Sequence, residues 1–210
     1  MFKISDITIY EQEHYNRGIS LLAGMDEVGR GPLAGPVIAC ALILPRSSTI
    51  SGVDDSKKIS EKKREALYDL IVAEAVAVGI GNVPHDVIDE INILRATHRA
   101  MAQALASLDP QPQHVLVDGY PAEGLCVPQT AIIGGDAKSY LIAAASIVAK
   151  VVRDRIMRRY HEIYPEYDFA SNKGYGTKKH IAAIESYGIS PIHRMSFCKK
   201  LMRSTEGMRN

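Results

Sequence analysis

Cysteine is scarce in this 210-residue sequence, and its few cysteines are not arranged in pairs. Cys40, Cys126 and Cys198 are far apart in the chain, and no CxxC spacing occurs. An odd number of widely spaced cysteines argues against a disulfide framework, so a reducing, cytoplasmic compartment is the default expectation. The histidines also lack the clustered spacing that is typical of a zinc site.

Long apolar runs are missing as well. The first twenty residues do not combine a basic start with an apolar stretch, so the sequence predicts no signal peptide. No apolar run is long enough to span a bilayer, and we expect no membrane partner. Internal repeats and low-complexity tracts are absent, and the 46% hydrophobic content suits one domain with a full core and a small appendage.

The net charge of +1 conceals an uneven distribution. Residues 150–210 contain 13 Lys and Arg against 6 Asp and Glu, whereas residues 1–149 contain 12 against 18. An acidic body with a basic C-terminal part suits an enzyme that has a carboxylate site and a flank that grips a polyanion. A helical tail with a solvated basic face explains the same charge equally well.

Hydrophobic periodicity predicts alternating strands and helices along most of the chain. The pattern predicts a helical C-terminal end and a mixed sheet, which together define an α/β fold class. The predicted strands are 21–28, 36–45, 75–83, 114–119 and 129–136. The predicted helices are 56–76, one opened by Pro84, 91–108 and 139–160, followed by a loop over 161–176 and one or two final helices.

Acidic residues stand where three of these apolar strands end. They are Asp26 with Glu27, then Asp118, then Asp136. Ligands of α/β sheets gather at strand ends, and carboxylates brought together there would repel one another unless cations relieve them. Mg²⁺ and Mn²⁺ prefer carboxylate oxygen, and a pair of such ions stabilises the entering and leaving oxygens of a phosphoryl displacement. The pattern therefore favours phosphodiester hydrolysis.

Two of the acids also have a simpler interpretation, and the other two face a geometric objection. Asp118 precedes Gly119 as in an ordinary turn, and Asp136 follows two glycines as a helix cap would. On a regular strand, Asp26 and Glu27 point to opposite faces, so both reach one site only if the strand ends, bulges or twists near Gly29.

Two glycine-flanked residues and one basic segment are candidates for contact with a nucleic acid. Arg30 lies between Gly29 and Gly31, where a backbone without Cβ atoms could approach phosphate or sugar, although a surface arginine in a flexible turn fits too. Tyr175 lies between glycines in a basic stretch, where it could stack on a sugar or base or serve only as a packing anchor. The third candidate is a helix start with Ser56, Lys57 and Lys58 that could hold a phosphate or form a solvated face.

Several longer segments occur in the order expected of bacterial ribonuclease HII, which the chain resembles over most of residues 21–197. The segments are "AGMDEVGRGPLAGPV", "DDSKKIS", "DEINILRAT", "HVLVDG", "GGDAKSYLIAAASIVAKVVRD", "NKGYGTKKH" and "HRMSF". An Asp at position 136, where the related ribonuclease HIII type typically has Glu, and the short stretch before the first strand favour the HII type.

The resemblance implies a ribonuclease H-like mixed sheet flanked by helices, with a catalytic domain over 1–160 and a C-terminal helical extension over 161–210 packed on it. It implies a monomeric endonuclease that uses two Mn²⁺ or Mg²⁺ ions on RNA–DNA hybrids and on DNA duplexes containing ribonucleotides. The implied catalytic and metal-binding residues are Asp26, Glu27, Asp118 and Asp136. The implied substrate contacts are Gly29, Arg30, Gly31, Ser56, Lys57, Lys58, Ser146, Lys173 and Tyr175.

Two other functions stay open at the level of sequence. The first is a non-catalytic module that binds hybrids, which the carboxylates oppose because acids repel a polyanion unless cations neutralise them. The second is another metal-dependent nuclease or transposase-like enzyme of the same fold, which the Gly29-Arg30-Gly31 turn and the segment around Tyr175 disfavour.

Overall fold

The sheet of this protein is mixed, as the sequence predicts. The computed structural model describes residues 8–53, 56 and 59–206. Within these residues five strands form one sheet in the order β3-β2-β1-β4-β5. The strands are β1 (Leu22–Val28), β2 (Val37–Ile43), β3 (Ala77–Val83), β4 (His114–Asp118) and β5 (Gln129–Ile132).

The first strand occupies the centre of the sheet. It pairs antiparallel with β2, with Asp26 opposite Cys40, and parallel with β4, with Met25 opposite Val117. The hairpin predicted between the first two strands is therefore confirmed. The parallel neighbour β4 is followed by a second parallel strand, β5, so the carboxyl ends of β1, β4 and β5 meet at one edge.

Helices surround this sheet and extend beyond it. None of those in the described part of the chain has the length and apolar content needed to cross a bilayer. The helices are α1 (Ile9–Asn16), α2 (Glu61–Glu74), α3 (His85–Ile91), α4 (Ile93–Ala106), α5 (Tyr140–Ile163), α6 (Phe169–Asn172), α7 (Lys178–Tyr187) and α8 (Met195–Glu206).

Two helix starts differ from their predicted positions because polar caps end the preceding segment. Helix α2 begins at Glu61 rather than at residue 56, since the Ser60 hydroxyl accepts the Lys63 N–H at 3.3 Å. Helix α4 begins at Ile93, because Asn92 adopts a left-handed φ of 67° and its side chain accepts the N–H groups of Leu94 and Arg95.

Small residues let one helix approach each face of the sheet. Alternate β1 residues enter two separate cores, with Leu22 on the α5 side and Met25 on the α4 side. A Cβ at Gly24 would collide with the backbone of Leu141 in α5, and one at Gly81 would collide with the carbonyl of Ala100 in α4. The sheet is thus covered on both faces, which explains why β2 is buried throughout.

The segment predicted as a loop over 161–176 is partly helical. It contains a 3-10 turn at Pro165–Tyr167 and the short helix α6 before the two predicted final helices, α7 and α8. Aromatic and aliphatic side chains of this region form a third core with residues of the first 160, including Ala34 and Met157. This packing explains why the segment is ordered, while the division into a domain over 1–160 and an extension over 161–210 stays a prediction.

Substitution Gly81→Ala tests the close packing of α4 on β3. The added Cβ has no room beside the Ala100 carbonyl, so we expect a loss of roughly 3 kcal/mol in the free energy of unfolding. The exposed neighbour Asn82→Ala is the control and should change stability by less than about 0.5 kcal/mol. Urea unfolding measures both, and equal stability of the two variants would contradict this packing.

Candidate active site

The central strands bring two of the predicted acids side by side. Met25 of β1 lies opposite Val117 of β4, so the next residue of each strand, Asp26 and Asp118, are neighbours at the same edge. The strand does not bulge at Glu27, because β1 stays paired with β2 through Val28. The strand does end at Val28, directly before Gly29, as the sequence predicts, and Asp118 interacts electrostatically with both Asp26 and Glu27.

Asp26 is a buried carboxyl whose charge is opposed by its surroundings. Only 5% of the residue is exposed. Burial raises its pKa well above the usual range, and the neighbouring charges of Glu27 and Asp118 raise it further. A hydrogen bond from Ser146 on α5 lowers the pKa in part, and its own carboxylate accepts the Glu27 N–H at 2.7 Å. Asp26 thus holds a position that favours the neutral form unless a cation is nearby.

Glu27 forms an ion pair with a neighbouring arginine. Burial raises its pKa and Asp118 adds to that rise, while Arg30 opposes both. The Arg30 Nη1 atom lies 3.1 Å from the Glu27 Oε1 atom, and about half of the Arg30 side chain remains exposed. The turn after β1 therefore supplies the positive charge nearest to this acid that the structure describes.

Asp118 ends its strand and fixes the loop that carries the fourth acid. Its Oδ1 atom accepts the Gly135 N–H at 2.6 Å, and a Cβ at position 135 would lie 3.2 Å from the same oxygen. Asp136, which is buried, follows in the short 3-10 turn Gly135–Ala137. The predicted strand over 129–136 is too long, because β5 ends at Ile132 and Gly134 turns the chain with a φ of 66°.

The acids are neighbours without forming a closed cage. Among the described residues, no three His, Cys, Asp or Glu side chains lie close enough together to enclose a metal ion. The chemistry of the donors still fits a hard divalent cation, since Asp26, Glu27 and Asp118 offer carboxylate oxygens only. Burial, and after it the repulsion between these carboxylates, raises the pKa values of Asp26 and Glu27, and a bound cation would oppose both effects.

Two predicted substrate contacts lie inside the protein. Ser56 and Ser146 are both buried, their hydroxyl oxygens are 2.8 Å apart, and Ser146 also bonds to Asp26. The two hydroxyls therefore form a chain that leads to the carboxylate rather than to the surface. Lys57 and Lys58 lie outside the described residues.

The turn at 29–31 and the segment of Tyr175 lie against each other. A Cβ at Gly31 would be 3.6 Å from the Tyr175 ring, and the Leu33 N–H donates to the Gly174 carbonyl at 2.8 Å. Tyr175 remains 45% exposed. The segment of Tyr175 therefore folds back onto this turn, which thus carries an exposed arginine and lies beside an exposed tyrosine ring.

Lys173, in contrast, does not face solvent. The residue is buried with a left-handed φ of 52°, its ammonium donates to the Ala170 carbonyl, and it lies 3.7 Å from Glu61. These partners hold its charge within the protein. The position expected to contact substrate therefore shapes the loop before Tyr175.

Much of the basic surplus of residues 150–210 is engaged internally. Arg155 and Arg158 pair with the acids of α2, and Arg153 and Arg194 are completely buried. Sequence reasoning missed the last two residues, since an interior arginine has no periodic signature of its own. Other described cations of this part remain exposed, among them Arg159, Lys199 and, close to Tyr175 in sequence, Lys178 and Lys179.

Two histidines of the same region contact each other inside the protein. His180 and His193 are buried, and their Nε2 atoms are 3.0 Å apart. Burial and the neighbouring His180 lower the pKa of His193 to about 4, so the pair stays neutral at physiological pH.

The mixed sheet thus carries carboxylates at the ends of its central strands, an arrangement that suits phosphoryl chemistry with divalent cations. The family model described as ribonuclease HII matches residues 23–200. The chain belongs to the ribonuclease HII family and is a ribonuclease H type 2 endonuclease.

Individual relatives agree with this assignment. The chain is 52% identical to ribonuclease HII of Listeria monocytogenes over 94% of its own length and 75% of that protein. Among solved structures, ribonuclease H2 of Pyrococcus horikoshii superposes with a TM-score of 0.76 at 27% identity, covering 89% of this chain and 99% of the other. The fold is also shared with Bst-RNase HIII in complex with Mn²⁺, at a TM-score of 0.66 and 15% identity, covering 89% and 70%.

The raised pKa of Asp26 predicts a pH-dependent effect of Asp26→Asn in metal-free buffer. Because the folded pKa exceeds the unfolded one, the native state takes up this proton first as pH falls, and the stability of the wild type rises through that window. The asparagine variant carries no such charge, so its free energy of unfolding should exceed that of the wild type at alkaline pH. The difference should narrow as the pH falls towards about 4, the usual pKa of an unfolded Asp.

Urea unfolding in EDTA at several pH values measures the difference in the free energy of unfolding between Asp26→Asn and the wild type. The exposed Asp69→Asn serves as the control, for which we expect a small difference from the wild type. A difference between Asp26→Asn and the wild type that is constant with pH would contradict the electrostatic assignment.

Proposed function

We propose that this protein hydrolyses the phosphodiester 5′ to a ribonucleotide, both in RNA–DNA hybrids and at single ribonucleotides within duplex DNA. The products would carry 3′-hydroxyl and 5′-phosphate ends. The observation that carries the proposal is that the Tyr175 ring lies within 3.6 Å of where a Cβ at Gly31 would be, in the turn that follows the acids Asp26 and Glu27. This proximity supports a surface that reads the sugar next to groups that suit phosphoryl chemistry.

Four carboxylates are proposed to hold Mn²⁺ or Mg²⁺, namely Asp26, Glu27, Asp118 and Asp136. Two such ions, when bound, would supply an activated water and charge stabilisation for the leaving 3′-oxygen. The family membership and the manganese complex of the structural neighbour support this choice of metal.

The protein's own groups would prepare these acids for the reaction. The Ser146 hydroxyl orients Asp26, and the Gly135 N–H orients Asp118. Arg30 pairs with Glu27, and half of its side chain is exposed to solvent. Its remaining N–H donors are therefore available to a backbone phosphate. Preorganised partners of this kind hold catalytic groups in place without a cost at the moment of reaction.

Recognition of the ribonucleotide is assigned to Tyr175 and the turn. The 2′-hydroxyl is the group by which a protein distinguishes RNA from DNA at a given site. The exposed ring could support the sugar, its phenolic hydroxyl could bond to the 2′-hydroxyl, and Gly31 leaves room for close approach of the backbone.

A metal-dependent cleavage assay separates this function from that of a non-catalytic binding module. The substrates are an all-DNA duplex, an RNA–DNA hybrid and a duplex with one ribonucleotide, each with Mn²⁺ or Mg²⁺. We expect cleavage of the last two, and Asp118→Asn or Asp136→Asn should lower it by orders of magnitude. Asp69→Asn should cleave normally.

Two results would contradict the proposal. Tight binding of hybrids without cleavage would favour the binding module, and cleavage of the all-DNA duplex at an equal rate would favour an unselective nuclease. Circular dichroism confirms that each variant is folded, so that a loss of activity is not a loss of structure.

Substitutions at Tyr175 test the reading of the sugar. Loss of one neutral hydrogen bond costs about 0.5–1.5 kcal/mol, so Tyr175→Phe should lower kcat/KM roughly two- to twelve-fold. Tyr175→Ala also removes the ring and should lower it much more, at least as strongly on single-ribonucleotide duplexes as on hybrids. Tyr187→Ala, an exposed tyrosine of the same region, is the control. Wild-type kinetics of Tyr175→Ala would leave Tyr175 as a packing residue only.

A further inference from the structure

Two completely buried arginines lie beneath the proposed sugar-reading surface. Arg153 belongs to α5 and Arg194 precedes α8, and neither exposes any surface. Burial lowers the pKa of Arg153 to about 10 and that of Arg194 to about 9. Burying a guanidinium costs free energy unless its N–H donors are hydrogen-bonded. The partners of these two side chains therefore indicate which part of the structure they hold.

Arg194 binds the backbone of the turn. Its Nη2 atom donates to the Gly29 carbonyl at 2.6 Å, and its Nη1 atom donates to the Arg30 carbonyl at 3.0 Å. The Nε atom donates to the Gly35 carbonyl at 3.0 Å. One planar group thus holds both ends of the glycine-rich segment that follows the catalytic strand.

Arg153 joins the same segment to the loop of Tyr175. Its Nη1 atom donates to the Lys173 carbonyl at 2.8 Å, and its Nε atom donates to the Pro36 carbonyl at 3.0 Å. A Cβ at Gly29 would collide with this guanidinium. The close approach of turn and loop therefore depends on the absence of a side chain at position 29.

We propose that Arg194 and Arg153 are positioning residues that set the distance between the turn at 29–31 and Tyr175, and thereby the selection of a ribonucleotide. Their hydrogen bonds end on carbonyls at positions 29, 30 and 173, each within two residues of Gly31 or Tyr175. The fork of five donors in a guanidinium is needed to bind several carbonyls at once, which a lysine cannot reproduce. The proposal rests on the proposed function for its consequence in catalysis.

A double-mutant cycle separates positioning from general stabilisation. In the wild-type background Tyr175→Phe should cost roughly two- to twelve-fold in kcat/KM on a single-ribonucleotide duplex. In the Arg194→Lys background the same change should cost less than about twofold, because the ring is already misplaced. Arg159→Lys, an exposed arginine of α5, is the matched control background and should leave the cost of Tyr175→Phe unchanged.

A spectroscopic probe tests the same idea without catalysis. The chain contains no tryptophan, so Tyr175→Trp introduces a single reporter at this position. We expect its emission maximum and its quenching by acrylamide to change when Arg194→Lys or Arg153→Lys is added, and to stay the same with Arg159→Lys. Measurements are made where circular dichroism shows each variant to be folded, and Arg153→Lys replaces Arg194→Lys in the cycle if the latter does not fold.

The outcomes distinguish failure of the proposed cleavage activity from failure of the positioning role of the arginines. Absence of ribonucleotide cleavage by the wild type would contradict the proposed function, and the tryptophan measurement would still decide whether the arginines place residue 175. An equal cost of Tyr175→Phe in all three backgrounds, or unchanged tryptophan emission and quenching in folded Arg194→Lys and Arg153→Lys, would overturn the positioning role.

Discussion

The site depends on keeping like charges together at the end of a buried strand. Asp26 and Glu27 lie near the end of the central strand β1, next to Asp118 at the end of β4. The three carboxyls oppose one another's ionisation. Such an arrangement lowers the stability of the fold. A protein keeps it only where surrounding groups hold the carboxyls in place. The Ser146 hydroxyl and the Gly135 N–H perform this task, so α5 and the loop after β5 are both organised around the acids.

Features that repeat along the chain could be predicted from the sequence. Alternation and apolar runs revealed the strands, and the acids were found because charge at the end of an apolar run is unusual. The paired strands around Asp26 and the helix over 140–163 agree with that expectation.

Features that depend on contacts between distant segments could not be predicted. Arg194 looked like part of a basic surface, yet it is enclosed by carbonyls more than 150 residues away in sequence. Lys173 belongs to a glycine-rich basic segment, but the fold of α6 directs its ammonium towards Ala170 and Glu61. Ser56 and Ser146 are 90 residues apart in sequence and hydrogen-bond to each other inside the protein, so their partnership could be seen only in the tertiary structure.

The central claim is that the repelling carboxylates form a site for divalent cations. Thermal unfolding of the metal-free protein with increasing Mn²⁺ tests it most directly, because a ligand that binds the native state raises Tm by mass action. We predict a rise in Tm for the wild type that is largely lost in Asp118→Asn and retained in Asp69→Asn. A Tm that does not respond to Mn²⁺ in the wild type, or that rises equally in all three proteins, would contradict the account.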